Sequence, residues 1–509
     1  MTAGAPTLRD ILDGIAAVPS PLTGLVSADF RLDSRAIEPG DVFVALEGQR
    51  QHGAAFVDQA FANGAACMLY DAPLPDDIAA RVAALPSVGI AALRAHLGTI
   101  ADRAYRAPSR RLATIGVTGT NGKTSTVHLL AQALGNAGVD VATIGTLGSG
   151  RPGALSAGER TTPDVLAVHA LLRRFVDDGV THVAMEVSSH ALDQGRVDGD
   201  SFAIAVFTNL SRDHLDYHGD MRAYGAAKQK LFAWPGLGAA IINTDDAFGR
   251  ELVARIPDGV RVLRCGRGRL DGKAPEFHAT DITTDLDGLK FVMATPLGTA
   301  VISSRLLGLF NVANLLGVAA SLHVLGWPLA RIAEALRELE SVPGRMNRYG
   351  GGHRPLTVVD YAHTPDALEQ TLASLRDHFN GRTPVSGSRP GRLHCVFGCG
   401  GERDAGKRPQ MAAIAETLAD TVIVTDDNPR GEDGDAIVAD ILAGFARPSS
   451  VVVQRDRARA IRDAIDGAVA GDIVLIAGKG HERYQEISGR RLDFDDAAQV
   501  RVALEAWPC

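Results

Sequence analysis

Three groups of residues have types and spacing suited to chemistry. The first is Gly116-Val117-Thr118-Gly119-Thr120-Asn121-Gly122-Lys123-Thr124-Ser125-Thr126. Its glycines let backbone N–H groups turn toward phosphate oxygens, a helix start adds a partial positive end, Lys123 supplies a mobile charge, and Thr124 offers a hydroxyl to Mg2+. That chemistry suits a nucleoside triphosphate. The second group is Glu186, closing the apolar run from Thr181, and the polar segment Asn209 to Gly219 with Arg212, Asp213, His214, Asp216 and His218. A carboxylate at a strand end beside a phosphate loop is where a nucleotide's metal needs an oxygen ligand. The third group is four segments rich in glycine and paired charge, namely Asp360-Tyr361-Ala362-His363, Gly398 to Asp404, Asp426 to Arg430, and Gly478-Lys479-Gly480-His481-Glu482. Any one of them reads as a solvated loop; together they argue for a shared cleft.

The phosphate loop departs from the strict pattern G-x-x-x-x-G-K-[ST], which puts its first glycine at position 117, where Val117 stands, while Gly116 falls one residue early. A Gly-Lys-Thr inside an ordinary turn is the alternative. The strand-like run Leu112 to Val117 before it and the helix-like stretch Val127 to Leu134 after it favour the phosphate reading.

These elements sit in a chain of 509 residues, enough for about three domains. The segment 1–108 reads as a small α/β domain, with strands at Val42 to Leu46 and Ala66 to Tyr70 and a helix from Ala54 to Asn63. Polar residues in its Gly48 to Gly53 loop either bind an anion or cap a turn. The segment 109–342 carries the phosphate loop, strands at Val139 to Gly145, Thr181 to Glu186 and Ala203 to Thr208, and a helix opened by Pro163 with Thr161 and Thr162 at its start. A further helix, Met221 to Phe232, carries Lys228 and Lys230, which the pattern alone reads as solvated. The segment 343–509 alternates strands at Leu356 to Val359, Leu393 to Phe397, Thr421 to Thr425, Val451 to Val453 and Asp472 to Ala477 with helical stretches, the pattern of a parallel sheet. Ligands of such sheets gather beyond the carboxyl ends of the strands, where the third group falls.

Bulk properties narrow the class. Hydrophobic residues make up 46% of the chain and the net charge is −8 without a long basic run, so neither nucleic acid nor an anionic membrane is an expected partner. Five scattered cysteines, Cys67, Cys265, Cys395, Cys399 and Cys509, fit free thiols in a reducing compartment, and Cys395-x3-Cys399 is a poor zinc motif. Met1 to Asp13 lacks the apolar core of a signal peptide, and no run of about 18 apolar residues occurs. The expectation is a cytoplasmic protein.

The chain resembles the Mur ligases along nearly its whole length. The resemblance rests on Leu32-Asp33-Ser34-Arg35, Gly119 to Thr126, Thr161-Thr162-Pro163, Glu186 to Leu192, Asn209 to Gly219, Gly344-Arg345-Met346, Asp360 to Pro365 and Asp427-Asn428-Pro429-Arg430. It implies an α/β fold of three domains: an N-terminal domain holding a UDP-sugar, a central phosphate-loop ATPase domain and a C-terminal Rossmann-like parallel sheet bringing an amino acid. It implies an ATP-driven amide ligation in which the glutamyl carboxylate of UDP-N-acetylmuramoyl-L-alanyl-D-glutamate attacks the γ-phosphate. An amine then attacks the acyl phosphate and expels phosphate. A folylpolyglutamate synthase would share the loop and the reaction, but the Asp427 to Arg430 motif and the long N-terminal domain speak against it. A nucleotide-dependent binding protein without ligase activity is the alternative from another class.

The resemblance also assigns roles by position. It places ATP on Gly119, Thr120, Asn121, Gly122, Lys123, Thr124, Ser125, Asn311, Arg345, Asp360 and Tyr361, with one Mg2+ on Thr124 and Glu186 and a second on His214 and Lys228. A cationic lysine cannot ligate a metal, and the family resolves this by carbamylation with CO2, carried over here to Lys228. Lys123, Glu186, His214 and Lys228 are thus the implied catalytic set. The UDP-sugar dipeptide falls to Leu32, Ser34, Gln49, Arg50, Gln51, Thr161, Thr162, Ser188, Gln194 and Arg196. The amino acid falls to Arg403, Asp427, Asn428, Pro429, Arg430, Gly478 and Glu482. Within the family the Arg430 motif resembles the branch that adds meso-2,6-diaminopimelate, whose far carboxylate suits a fixed guanidinium fork that lysine would leave unpaired. A monomer is expected.

Overall fold

The structure, a computed structural model, describes residues 5–48, 51–269, 272–285, 288–380 and 391–507. Gln49, Arg50 and Cys509 therefore lie outside the described residues. The fold divides into two compact units. The first comprises residues 1–116, 139–203 and 234–237; the second comprises 117–138, 204–233 and 238–509.

The first unit begins with a four-stranded parallel sheet, Phe30–Arg31, Val42–Ala45, Cys67–Ala72 and Ser87–Ala91 in that order. Val42–Ala45 is buried at every position, as a strand covered on both faces requires. Leu8, Val44, Leu69, Leu97 and Leu166 share one core with it. The same unit holds His182–Glu186 paired parallel to Val141–Gly145, which continues antiparallel into Gly148–Arg151 and Ala154–Ser156. The helix expected to open at Pro163 spans Val165–Asp177 instead. Its N-cap is Asp164, which accepts from the Ala167 N–H, and the Thr162 hydroxyl turns away to donate to the Glu186 carbonyl at 2.8 Å.

In the second unit Ile204–Phe207, Ala239–Asn243, Arg261–Gly266 and Phe277–Asp285 run parallel, and Gly288–Thr295 and Gly298–Ser304 extend them antiparallel. The apolar helix Phe310–Val324 is buried along most of its length. The C-terminal sheet has the spatial order Asn347–Gly350, Leu356–Asp360, Ile473–Ala477, Leu393–Phe397, Thr421–Val424, Val452–Val453. All its pairings are parallel except the first. The five strands expected from the sequence are therefore present, and Ile473–Ala477, buried throughout, lies inside the sheet. Helix Met221–Gln229 passes into a 3-10 turn at Lys230–Ala233, and Lys228 is 1% exposed where the pattern alone read a solvated lysine. The reason is register. Ala227 and Lys228 lie three and four residues after Tyr224, on the same buried face, and Lys230 falls on the exposed side.

Candidate functional site

The strand Ala113–Thr118 delivers the phosphate loop to helix Lys123–Asn136. Gly119 stands at φ 150°, and a Cβ there would lie 1.8 Å from Thr208 Oγ1. Gly122, at φ 82°, is the N-cap of the helix, so no side chain bonds the first-turn N–H groups. Helices Val165–Asp177, Met221–Gln229 and Arg457–Asp466 are each capped by an aspartate. The phosphate helix alone among these four has no side-chain cap. The early Gly116 belongs to the strand: a Cβ on it would press on the Phe202 ring at 2.9 Å.

A cavity of about 240 Å3 opens beside the loop. Asn121, Gly122 and Ser125 line it from the loop and Arg345 and Asp360 from the C-terminal sheet side, while Phe310 adds an apolar wall. The Arg345 Nη2 donates to Thr124 Oγ1 at 3.1 Å, its guanidinium lies 4.5 Å over the Tyr361 ring, and its Nε is buried with no hydrogen-bond partner among the described residues. Asp360 accepts from the Met346 N–H at 2.8 Å; burial raises its pKa, and Arg345 opposes the rise. Asn311 lies behind this wall. Its amide donates to the Leu307 carbonyl and accepts from Asn314, and Asn314 is the residue that faces the cavity. Asp366, next to the Asp360 to Pro365 motif, accepts from the Asn121 amide at 2.8 Å and from Ser211 Oγ at 3.3 Å. The sequence singled out neither Asn314 nor Asp366. Asp366 in the first turn of the helix Pro365–Asn380 was the available signal.

Lys123 curls onto its own loop, donating to the Gly119 and Thr120 carbonyls at 2.9 and 2.7 Å. Lys228 donates to the same Gly119 carbonyl at 2.7 Å and lies 4.3 Å over the Tyr224 ring. Burial first and Lys123 second push the Lys228 pKa well below its ordinary value, with Asp213 opposing. His214 packs edge-on against Tyr224 with ring centroids 6.1 Å apart, so His214 and Lys228 share that ring. His214 adopts φ 54°, outside the usual range for its residue type, a strain that often accompanies a functional position.

In the first unit Glu186 is 1% exposed and accepts from the Thr146 N–H at 2.8 Å. Thr161 and Thr146 exchange a hydroxyl bond at 3.0 Å, Ser188 N–H donates to Thr162 Oγ1, and Arg196 links the Thr162 carbonyl to Gln194. Five of the residues assigned to the UDP-sugar dipeptide thus form one connected cluster around Glu186. Leu32 lies elsewhere in that unit, lining a groove of about 430 Å3 with Asp164 and Arg174. Ser34 is buried and donates to Gln59, and Gln51 is exposed.

The C-terminal strand ends bring together the remaining residues. Arg430, at φ 55°, donates from Nη1 to the Gly401 carbonyl at 2.7 Å and stands 3.9 Å from Glu486. Asp427 and Asn428 are buried, and Arg403 is exposed. Asn428 Nδ2 donates to Glu482 Oε2 at 2.8 Å, and the Tyr361 hydroxyl donates to Glu482 Oε1 at 3.3 Å. Gly478 sits at φ 117°, where a Cβ would lie 3.4 Å from Asp427 Oδ2. A substrate with both ammonium and carboxylate groups finds opposite charges here in fixed positions.

A glycine-rich loop opening a helix on one sheet and charged loops at the carboxyl ends of another form an α/β arrangement suited to a nucleotide. Three family models match the chain: "Mur ligase family, catalytic domain" over residues 30–105, "Mur ligase middle domain" over 117–322 and "Mur ligase, glutamate ligase domain" over 344–480. A Xanthomonas campestris pv. campestris (strain 8004) protein described as UDP-N-acetylmuramoyl-L-alanyl-D-glutamate--2,6-diaminopimelate ligase is 55% identical over 98% of this chain and 97% of its own length. A Pseudomonas aeruginosa protein of the same description is 50% identical over 95% and 96%. A solved structure so described superposes with TM-score 0.68 at 35% identity, covering 99% of both chains. The chain belongs to the Mur ligase family, with its three-domain architecture and ATP-dependent ligase activity.

Proposed function

We propose that the protein joins meso-2,6-diaminopimelate to UDP-N-acetylmuramoyl-L-alanyl-D-glutamate at the expense of ATP, in peptidoglycan precursor synthesis. The observation that carries the choice of amino acid is the Arg430 loop. A guanidinium carried on a left-handed backbone position, bonded to the Gly401 carbonyl and 3.9 Å from Glu486, offers a far carboxylate a fixed partner that an ammonium cannot use. The relatives named for this activity match over nearly their full length.

The glutamyl carboxylate attacks the γ-phosphorus and ADP leaves; the neutral amine then attacks the acyl carbon and phosphate leaves. Two anions must meet in the first step, and Lys123, Arg345 and the positive N-terminal end of the phosphate helix offset their repulsion. The donor types suit a hard cation: each unit supplies one oxygen donor of the implied first set, the Thr124 hydroxyl and the buried Glu186 carboxylate, and His214 with Lys228 is the implied second set. Mg2+ bound there would supply further positive charge to the transferring phosphoryl group. Burial lowers the Lys228 pKa and so favours the neutral amine, the form that would add to CO2 with loss of a proton to give a carbamate oxygen ligand. Thr161, Thr162, Ser188, Gln194, Arg196, Leu32 and Ser34 take the UDP-sugar dipeptide in this reading, within domains 1–108, 109–342 and 343–509 of a cytoplasmic monomer.

The test is phosphate release with ATP, Mg2+, bicarbonate and the UDP-linked dipeptide, with meso-diaminopimelate in one reaction and L-lysine in another. Release with diaminopimelate only is expected, and Arg430→Ala is expected to weaken diaminopimelate use far more than ATP binding. Preference for lysine would overturn the pocket assignment; no release with either amino acid would overturn the ligase reading.

A further inference from the structure

Lys479 is a buried cation that the reaction above does not use. It follows the strand Ile473–Ala477, between Gly478 at φ 117° and Gly480 at φ 54°, and its side chain is fully buried. Its Nζ donates to Asn428 Oδ1 at 3.0 Å and to Glu482 Oε2 at 3.1 Å, and stands 3.6 Å from Asp427 Oδ1. Two of the three ammonium donors are thus committed to hydrogen bonds, and the Asp427 carboxylate is an ion-pair contact at longer range. Asn428 Oδ1 also accepts the Glu486 N–H at 2.9 Å, which ties in the strand Tyr484–Ile487.

We propose that Lys479 is a positioning residue of the amino-acid pocket, and this rests on the reading of that pocket given above. Its ammonium pins the loop bearing Asp427 and Asn428 to the loop bearing Glu482, from beneath and out of reach of substrate. It also stands against both carboxylates, 3.6 Å from Asp427 and 3.1 Å from Glu482, and so lowers the cost of holding them together. Asp427 Oδ1, buried and without a hydrogen bond among the described residues, is the acceptor left over. Without Lys479, two carboxylates would face each other across a dry pocket and the Glu482 side chain would turn toward water.

The test uses the full chain and both amino acids, meso-diaminopimelate and L-lysine, so that Lys479 is examined on whichever one the enzyme ligates. Lys479→Met is expected to raise the KM for the amino acid by about 30-fold, the scale of one charge-assisted contact, with the KM for ATP changed less than about threefold. Because Lys479 acts through its partners, Lys479→Met combined with Glu482→Gln is expected to cost little more than Glu482→Gln alone. Should the methionine variant fail to fold, Lys479→Gln keeps one donor toward Asn428 and is expected to shift the same KM. Equal losses for ATP and amino acid, additive effects in the double variant, or an unchanged amino-acid KM would each overturn the proposal. Failure of the parent enzyme to ligate either amino acid would instead overturn the reading on which it rests.

Discussion

Arg345→Met tests the nucleotide site most sharply, because one guanidinium touches three measurable things. It donates to Thr124 Oγ1, lies over Tyr361, and holds down the neighbouring His481 and His363. With Nε free and one Nη committed to the phosphate loop, it can give a triphosphate one or two charge-assisted hydrogen bonds. Losing about 1.5–3 kcal/mol of such bonding lowers ATP affinity about 10- to 150-fold. Arg345→Lys keeps the charge but not the planar fork, and should fall between. A second readout needs no nucleotide. Burial is the first cause of the His481 pKa of about 3, and Arg345 is the second; His363, at about 4, owes more to burial and Lys407. In the methionine variant the His481 ring proton, followed by NMR, should therefore titrate at higher pH but stay below its ordinary value, and His363 should move less. An ATP affinity within threefold of the parent, or histidines that do not move, would refute this placement of Arg345.

Further outcomes are expected from the same forces. Both histidines take up protons less readily folded than unfolded, so their contribution to stability is complete above about pH 6.5. It is lost as pH falls toward 4 and 3, by about 1.4 kcal/mol per unit for each group, and acid unfolding monitored by fluorescence should steepen there. Asp200 behaves oppositely. Both its carboxylate oxygens are buried without a hydrogen bond among the described residues, and burial, then Asp102 and Asp198, push its pKa well above 3.8. Its cost to folding grows as pH rises, so Asp200→Asn should raise the melting temperature, by about 1–3 kcal/mol of stability near pH 8 and less near pH 4; a lower melting temperature would contradict this. Gly119→Ala places a methyl 1.8 Å from Thr208 Oγ1 and should abolish ATP binding by calorimetry while leaving the circular dichroism unchanged; wild-type affinity would contradict the loop geometry.

What could be read from the sequence follows what is local. The strands Leu393–Phe397 and Ile473–Ala477 are short apolar runs bounded by glycines and charges, and the loop at Gly119 to Thr126 carries its chemistry in consecutive residues. The strands Phe277–Asp285, Gly288–Thr295 and Gly298–Ser304 were not read, because they mix threonines, charges and half-buried positions without a clean alternation. Lys228 was read as solvated for a related reason: one lysine in a helix gives no sign of which face the neighbouring loop will cover. Asn314 escaped because its role depends on Asn311, one turn away, having spent its own amide on the Leu307 carbonyl.

The contacts that join the phosphate loop to the C-terminal strand-end loops within the second unit are the least local of all. Thr124 bonds Arg345, Arg345 stacks on Tyr361, Tyr361 bonds Glu482, and Glu482 is held by Asn428 and Lys479. Each link spans a wide sequence separation or turns on a side-chain torsion, so no pattern along the chain announces it. Two glycines make it possible. A Cβ at Gly344 would strike the His481 N–H at 2.3 Å and one at Gly480 would strike the Gly344 carbonyl at 2.7 Å, so the segments carrying Arg345 and Glu482 approach only because both side chains are absent. In the sequence those glycines looked like loop punctuation. In the structure they set the distance between Arg345, which bonds the phosphate loop, and the loop carrying Glu482.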